Sequence, residues 1–101
     1  MATKRGFIYI LSNKSRSVLY IGVTSDLLQR IHQHRIGSGS SFTKRYNLRY
    51  PIYYEEYKSI TKAIEREKQL KNWERTWKLD LIREVNPTLD DIWTDIIANN
   101  R

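Results

Sequence analysis

A carboxylate stands where the residue pattern asks for an aliphatic side chain. Across residues 60–73, apolar residues fall at Ile60, Ala63, Ile64 and Leu70, the spacing of one helical face. Glu67 follows Ile60 by seven, Ala63 by four and Ile64 by three, so it lies within that face. A carboxylate on a buried face is costly unless it is paired or holds a metal. Lys71, four residues on, offers the ion pair; a cation from solution offers the alternative. Arg30 and His34 form a second polar set, four apart and therefore on one helical side. At about 100° per residue they flank the Leu27/Ile31 stripe and sit at the edge of whatever that stripe packs on. The third set is two phenols, Tyr9 and Tyr20. The fourth, Lys44, Arg45, Tyr46 and Arg49, mixes guanidinium, ammonium and ring in a short hydroxyl-rich stretch. That mix suits phosphate contacts and base stacking, and equally a plain surface loop with a buried anchor or two.

Elements must bring these groups together. Residues 7–11 and 18–23 each read as a strand rich in β-branched, aromatic and aliphatic residues, with a wholly polar loop between them. They predict a β-hairpin. Phe7, Tyr9 and Leu11 share one face of the first strand, and Val18, Tyr20 and Gly22 share one face of the second. Pairing Leu11 with Val18 puts Tyr9 opposite Tyr20, beside a glycine that opens space there. Taken alone, both tyrosines are ordinary strand residues. Ser25 or Asp26 caps a helix over residues 27–36, with His32 on its surface, and the Gly37-Ser38-Gly39-Ser40-Ser41 run ends that helix and begins a flexible loop. Residues 50–57 read as a third strand, with Pro51 at its start or on an edge. Ser59 or Thr61 opens the Glu67 helix. A further helix over 74–85 carries Trp77, Leu81, Ile82 and Val85 as its apolar set, either continuous with the previous helix or broken near Trp73, and Asn86-Pro87 stops it. Thr88 begins a capping-box start for a last helix docked through Ile92, Trp93, Ile96 and Ile97, and Asn99-Asn100-Arg101 is expected to fray.

The chain of 101 residues predicts a single domain over 1–101, with a core at about 5–85 and a docking helix at about 88–98. No cysteine is present, which excludes disulfides and thiolate metal sites. Residues 1–5 do not begin a signal peptide, and no run approaches the length of a membrane span. A cytoplasmic protein with no membrane partner is the expectation. Lys and Arg number 18 against 11 Asp and Glu, for a net charge of +7, and residues 1–50 hold a single acid, Asp26. A basic half with interspersed aromatics is the electrostatic footprint of a polyanion partner, though lysine-rich surfaces also simply solubilise small domains.

The ordered set resembles the GIY-YIG nuclease family. The tripeptides stand here as Phe7-Ile8-Tyr9, with Phe where the family often has Gly, and Tyr20-Ile21-Gly22. Tyr20 follows Tyr9 by eleven, Arg30 follows Tyr20 by ten, and the helical Glu67 comes downstream. Residues 67–73, with Lys78, Leu81-Ile82 and Asn86-Pro87 after them, look like the small stand-alone bacterial members, and the resemblance spans about residues 5–93. It implies an α/β domain of α+β type, a three-stranded antiparallel sheet flanked by helices. It implies metal-dependent hydrolysis of phosphodiesters in nucleic acid, DNA rather than RNA, with one Mg²⁺ or Mn²⁺ and no small-molecule cofactor. Under that resemblance Tyr9 or Tyr20 activates water while the other phenol positions it or the phosphate. Arg30 stabilises charge, His34 assists by hydrogen bond or proton transfer, and Glu67 holds the metal. By their own chemistry, Lys44, Arg45, Tyr46, Arg49 and Lys71 are expected to grip nucleic acid. Family members often carry an Asn after the metal Glu; Asn72 and Asn86 both follow it here, and neither takes the role from spacing. The alternative is a binding module of the same fold that does not cut. A third reading is an interaction protein that docks through its apolar C-terminal helix.

Overall fold

The computed structural model describes residues 4–100; residues 1–3 and Arg101 lie outside the described residues, while Asn99, expected to fray, closes the last helix. In chain order the elements are β1 (Gly6–Ser12), β2 (Leu19–Thr24), α1 (Leu27–Arg35), α2 (Ser41–Arg45), β3 (Tyr50–Tyr57), α3 (Ile60–Lys71), α4 (Arg75–Arg83) and α5 (Trp93–Asn99). The sheet is antiparallel in the order β2-β1-β3, with helices on both faces, the α+β architecture the sequence implied. All seven residues of the central strand β1 are buried. A strand covered on both faces must be apolar on both, which is why its sequence is a near-continuous hydrophobic run. Ile8 and Ile10 join Ile21, Ile52, Ala63, Leu70 and Ile82 in the core under α3 and α4. Phe7, Tyr9 and Leu11 join Leu27, Ile31, Leu48 and Ile96 in the core under α1 and α5. Among the described residues no helix is long and apolar enough to cross a membrane.

The hairpin register differs from the simplest one. Leu11 pairs with Tyr20 and Tyr9 with Gly22, so the two tyrosines are diagonal neighbours rather than opposite. The loop decides this. Ser12 remains in β1 and its Oγ donates to the Val18 carbonyl, while Asn13 Oδ1 accepts from Val18 N–H. These bonds commit Asn13 to Val18 to the turn and shift the pairing by two residues. Because the shift is even, no side chain changes face. On the other side of β1, pairing with β3 slips between Ile10 and Leu11, so that Leu11 faces Pro51, which has no N–H to give.

Two helices depart from their expected apolar sets. On α3, Ala63 and Leu70 are buried, but Ile64 is exposed. The chain breaks between α3 and α4 at Asn72–Glu74, and that break resets the helical phase. On α4 only Ile82 is buried; Trp77 is exposed, as is Val85 just past the helix end, and Trp77 stands edge-on to Trp73, centroids 6.2 Å apart, instead of entering the core. The last helix starts at Trp93, later than the Thr88 capping box suggested, because Ile92 N–H is bonded to the Pro51 carbonyl and Thr88 Oγ1 donates to Asp90 Oδ2 within its own turn. An acidic centre pins α3 to β3. Glu55 accepts hydrogen bonds from the hydroxyls of Tyr53 and Tyr57 and from Arg66 Nε and Nη2 at 2.9 and 3.1 Å. Burial pushes the Glu55 carboxyl up, but these hydrogen bonds outweigh it and hold the group below its ordinary value. Arg66 precedes Glu67, so the same clamp fixes the helical phase at which Glu67 is presented.

Candidate active site

Tyr9 is almost wholly buried in the core beneath α1, and Gly22 makes room for its phenol. A Cβ at position 22 would lie 2.3 Å from both Cζ and Oη of Tyr9. Any side chain at position 22 would force the ring to move. The Tyr9 hydroxyl lies 3.0 Å from His34 Nε2, and the Tyr20 ring lies 6.4 Å from the Tyr9 ring and 6.0 Å from the imidazole. Burial, partly opposed by Arg30 and reinforced by Tyr20 and Glu67, pushes the Tyr9 phenol up to about 12. It therefore stands protonated at neutral pH.

His34 is not at the edge of the α1 stripe but buried within it, only 2% exposed. Both ring nitrogens are satisfied there. Nδ1 lies 3.1 Å from Thr43 Oγ1, and Gly39 allows the approach, since a Cβ at position 39 would lie 2.2 Å from Nδ1. The hydroxyl network around Thr43 favours one tautomer. Thr43 Oγ1 lies within donating distance of the Ser40 carbonyl and of Ser40 Oγ. With its proton on that carbonyl it accepts from His34, which puts the ring proton on Nδ1 and leaves Nε2 to accept from Tyr9 Oη. Burial first and the Arg30 charge second draw the imidazole down to about 4, so it too is uncharged at neutral pH.

The charges of Arg30 and Glu67 act on the same phenol from helices on opposite faces of the sheet. Arg30, half-buried on α1, is steadied by Gln33, whose Oε1 accepts from Nη1 at 3.0 Å, and its charge bears on both Tyr9 and His34. Glu67 comes from α3, which packs across β1 and β2, and its charge also reaches Tyr9. Its side chain is 16% exposed, and its Oε1 lies 3.5 Å from Lys71 Nζ, whose own side chain is 52% exposed. The ion pair anticipated from the i,i+4 spacing is thus present, but it is a loose contact that leaves carboxylate lone pairs open to a cation. Among the described residues no three His, Cys, Asp or Glu side chains group as a metal cage. A single carboxylate suits a hard divalent ion that retains several waters.

The stretch read as a loop contains the short helix α2, with Ser40 as its N-cap accepting from Thr43 N–H. Thr43 is the buried anchor; Lys44, Arg45 and Tyr46 are exposed at its end, with the Arg45 guanidinium over the Tyr46 ring at 5.5 Å. Arg49 is apart from them and lines a hollow with Arg35 and Tyr50. His32 is exposed, as expected. Thr43, Ser40 and Gly39 were not singled out in the sequence. Their one signal is the Gly-Ser run itself, which marks close backbone approach as well as flexibility. Asn86 belongs to the scaffold: Nδ2 donates to the Ile52 and Asp90 carbonyls and Oδ1 accepts from Asp90 N–H.

Comparison with known proteins identifies the family. Residues 5–80 match the GIY-YIG catalytic domain. The UPF0213 proteins of Staphylococcus aureus strains N315, MW2 and COL are each 35% identical to the chain over 78 residues, which span 77% of this chain and 94% of the relative. No solved structure matches significantly. With the tyrosine hairpin, the arginine helix and the downstream glutamate in one fold, and three quarters of the sequence matched, the chain belongs to the GIY-YIG family.

Proposed function

We propose that the protein is a divalent-metal-dependent endonuclease that hydrolyses phosphodiester bonds in DNA, with the water proton leaving through Tyr9 to His34. GIY-YIG membership implies nuclease activity on nucleic acid, and nucleases of this kind generally use a divalent metal. The observation that supports the finer reading is the hydrogen-bonded chain of Tyr9 Oη with His34 Nε2 and of Nδ1 with Thr43 Oγ1. A phenol with its ionisation pushed up to about 12 is a poor standing phenolate. It is a good relay: its oxygen accepts a proton from the attacking water while its own proton passes to Nε2. Tyr9 is accordingly the activating phenol and Tyr20 the positioning one. Arg30 beside the scissile phosphate offsets the charge that gathers on its oxygens. The phosphate in turn offsets Arg30, removing one of the two influences that keep His34 a weak base. Glu67 would hold Mg²⁺ or Mn²⁺, which supplies Lewis-acid stabilisation of the leaving oxygen. Water as nucleophile needs no 2′-hydroxyl, so DNA is a competent substrate.

The Glu67–Lys71 contact supports a second reading, a nucleic-acid-binding module whose carboxylate is merely neutralised. Cleavage of plasmid and oligonucleotide DNA in Mg²⁺ or Mn²⁺ separates the two. The nuclease reading expects Tyr9→Phe, Arg30→Ala and Glu67→Ala each to lower the rate by about 100-fold or more. Residual cleavage equal in wild type and all three variants would come from a contaminant and would leave the binding module.

A further inference from the structure

Phe42 and Tyr46 are large apolar rings that the fold does not use. Phe42 lies on α2 and Tyr46 at its C-cap, four apart and hence on one side, and they remain 45% and 41% exposed. The helix is anchored without them, through buried Thr43 and the Ser40 cap. The rings are nevertheless ordered against one another. Phe42 lies nearly parallel to Tyr20, with centroids 5.9 Å apart and planes 29° apart, and Tyr46 lies 4.8 Å from Phe42. The run is therefore continuous with the phenols of the site, since Tyr20 stands next to Tyr9 and His34. Exposed Lys44 and the Arg45 guanidinium over Tyr46 flank it. An exposed aromatic surface set among cations and leading to a phosphate site has the chemistry of a nucleobase platform.

We infer that Phe42 and Tyr46 stack an unpaired base of the strand whose phosphate sits at Arg30, so that the substrate is DNA with unpaired nucleotides at the cut rather than continuous duplex. This rests on the nuclease reading for the position of the phosphate, although the stacking itself does not require cleavage. A base within a duplex has both faces covered by its neighbours and offers none to a side chain. A base in a single strand or flap has a free π-face, and any of the four bases serves, so the platform selects strand structure and not sequence. It also supplies the contact that isolated lysines and arginines lack, since these grip any phosphate backbone alike.

The test uses the full chain carrying Glu67→Gln, in EDTA, so that nothing is cut. A single-stranded oligodeoxynucleotide carrying 2-aminopurine should lose fluorescence on binding, as the probe stacks. Introducing Phe42→Leu with Tyr46→Leu keeps apolar bulk and removes the rings; quenching should disappear and single-strand affinity should fall about tenfold, with the weaker duplex affinity unchanged. Phe42→Trp should retain the quench, which guards against mere misfolding of α2. Quenching that survives the double leucine variant, or duplex bound as tightly as single strand by the parent, overturns the inference. So does a double variant that alters self-association instead of DNA binding. The nuclease reading fails separately, if the wild-type chain with Mg²⁺ or Mn²⁺ cleaves no substrate while a Phe42-dependent quench remains.

Discussion

The Tyr9 hydroxyl lies 3.0 Å from His34 Nε2, and Thr43 Oγ1 holds Nδ1 on the far side of the ring at 3.1 Å. Burial and the nearby Arg30 charge hold the imidazole neutral in the core, and this has a signature in stability. Folded, it titrates at about 4, drawn down by burial and then by Arg30; unfolded, a histidine titrates near 6.5. Between these values the unfolded chain binds the extra proton, so stability falls as pH drops from about 6.5 to about 4, by roughly 2–3 kcal/mol from this group. Above about 6.5 the group contributes no pH dependence. Thermal melts from pH 7 to pH 4 should show a shallower decline in His34→Gln than in the wild type. Parallel curves would show that His34 is not held neutral.

Gly22→Ala tests whether the phenol must stand where it does. The added carbon would lie 2.3 Å from Tyr9 Oη and Cζ, so the ring must tilt away from His34. Overpacking of this kind costs about 1–3 kcal/mol. A displacement of about 1 Å at a reacting group costs about 100-fold in rate. Single-turnover cleavage at a temperature where the variant remains folded should therefore fall far more than the melting temperature alone suggests. Activity within about threefold of wild type would remove Tyr9 from the proton path.

Parity explains why the tyrosine face was legible before its register was. A strand exposes alternate residues, so Phe7, Tyr9 and Leu11 share a face under either pairing, and a shift of two residues moves Tyr9 from Tyr20 to Gly22 without turning it over. The Glu67 anomaly was legible for a similar reason, since Ala63 and Leu70 fix the buried side of α3 on either side of it. His34 was not legible as a buried group. Its partner Thr43 and the space at Gly39 belong to a stretch whose composition signals a flexible loop, and only tertiary packing makes five of those residues a helix. Trp77 and Val85 misled because periodicity reports which residues share a side, not whether another element covers that side. After the break at Asn72–Glu74, α4 meets the core with little more than Ile82 and Leu81.

Asn86→Ala should separate scaffold from site. The side chain spans β3 and the turn before α5 through its bonds to the Ile52 carbonyl and to both backbone groups of Asp90. Truncation takes this donor from the buried Ile52 carbonyl, opens a void at a buried position and should cost about 2–4 kcal/mol in denaturant unfolding. Cleavage below the melting transition should stay near the wild-type rate, because the hydrogen bonds of Asn86 run to Ile52 and Asp90 and not to Tyr9, His34, Arg30 or Glu67. A rate loss at full foldedness would place Asn86 in the functional machinery.

The Lys71 ammonium and a divalent cation would compete for the same Glu67 oxygens. The ammonium stands 3.5 Å from Oε1 on a half-exposed side chain, so the pair contributes no more than about 1 kcal/mol to stability. Removing it leaves a carboxylate with a stronger field for a doubly charged ion. Lys71→Ala should therefore lower the half-saturating Mg²⁺ concentration for cleavage by about fivefold, the same roughly 1 kcal/mol returned to the cation. It should also raise the melting-temperature shift produced by Mn²⁺ alone, a readout that needs no substrate. Loss of a surface ammonium should at the same time weaken DNA binding modestly and flatten its salt dependence by about one phosphate contact. Glu67→Gln should abolish both the Mg²⁺ response and the Mn²⁺ shift. If Lys71→Ala only lowers the melting temperature and leaves both metal responses as they were, the carboxylate serves the lysine and not a cation.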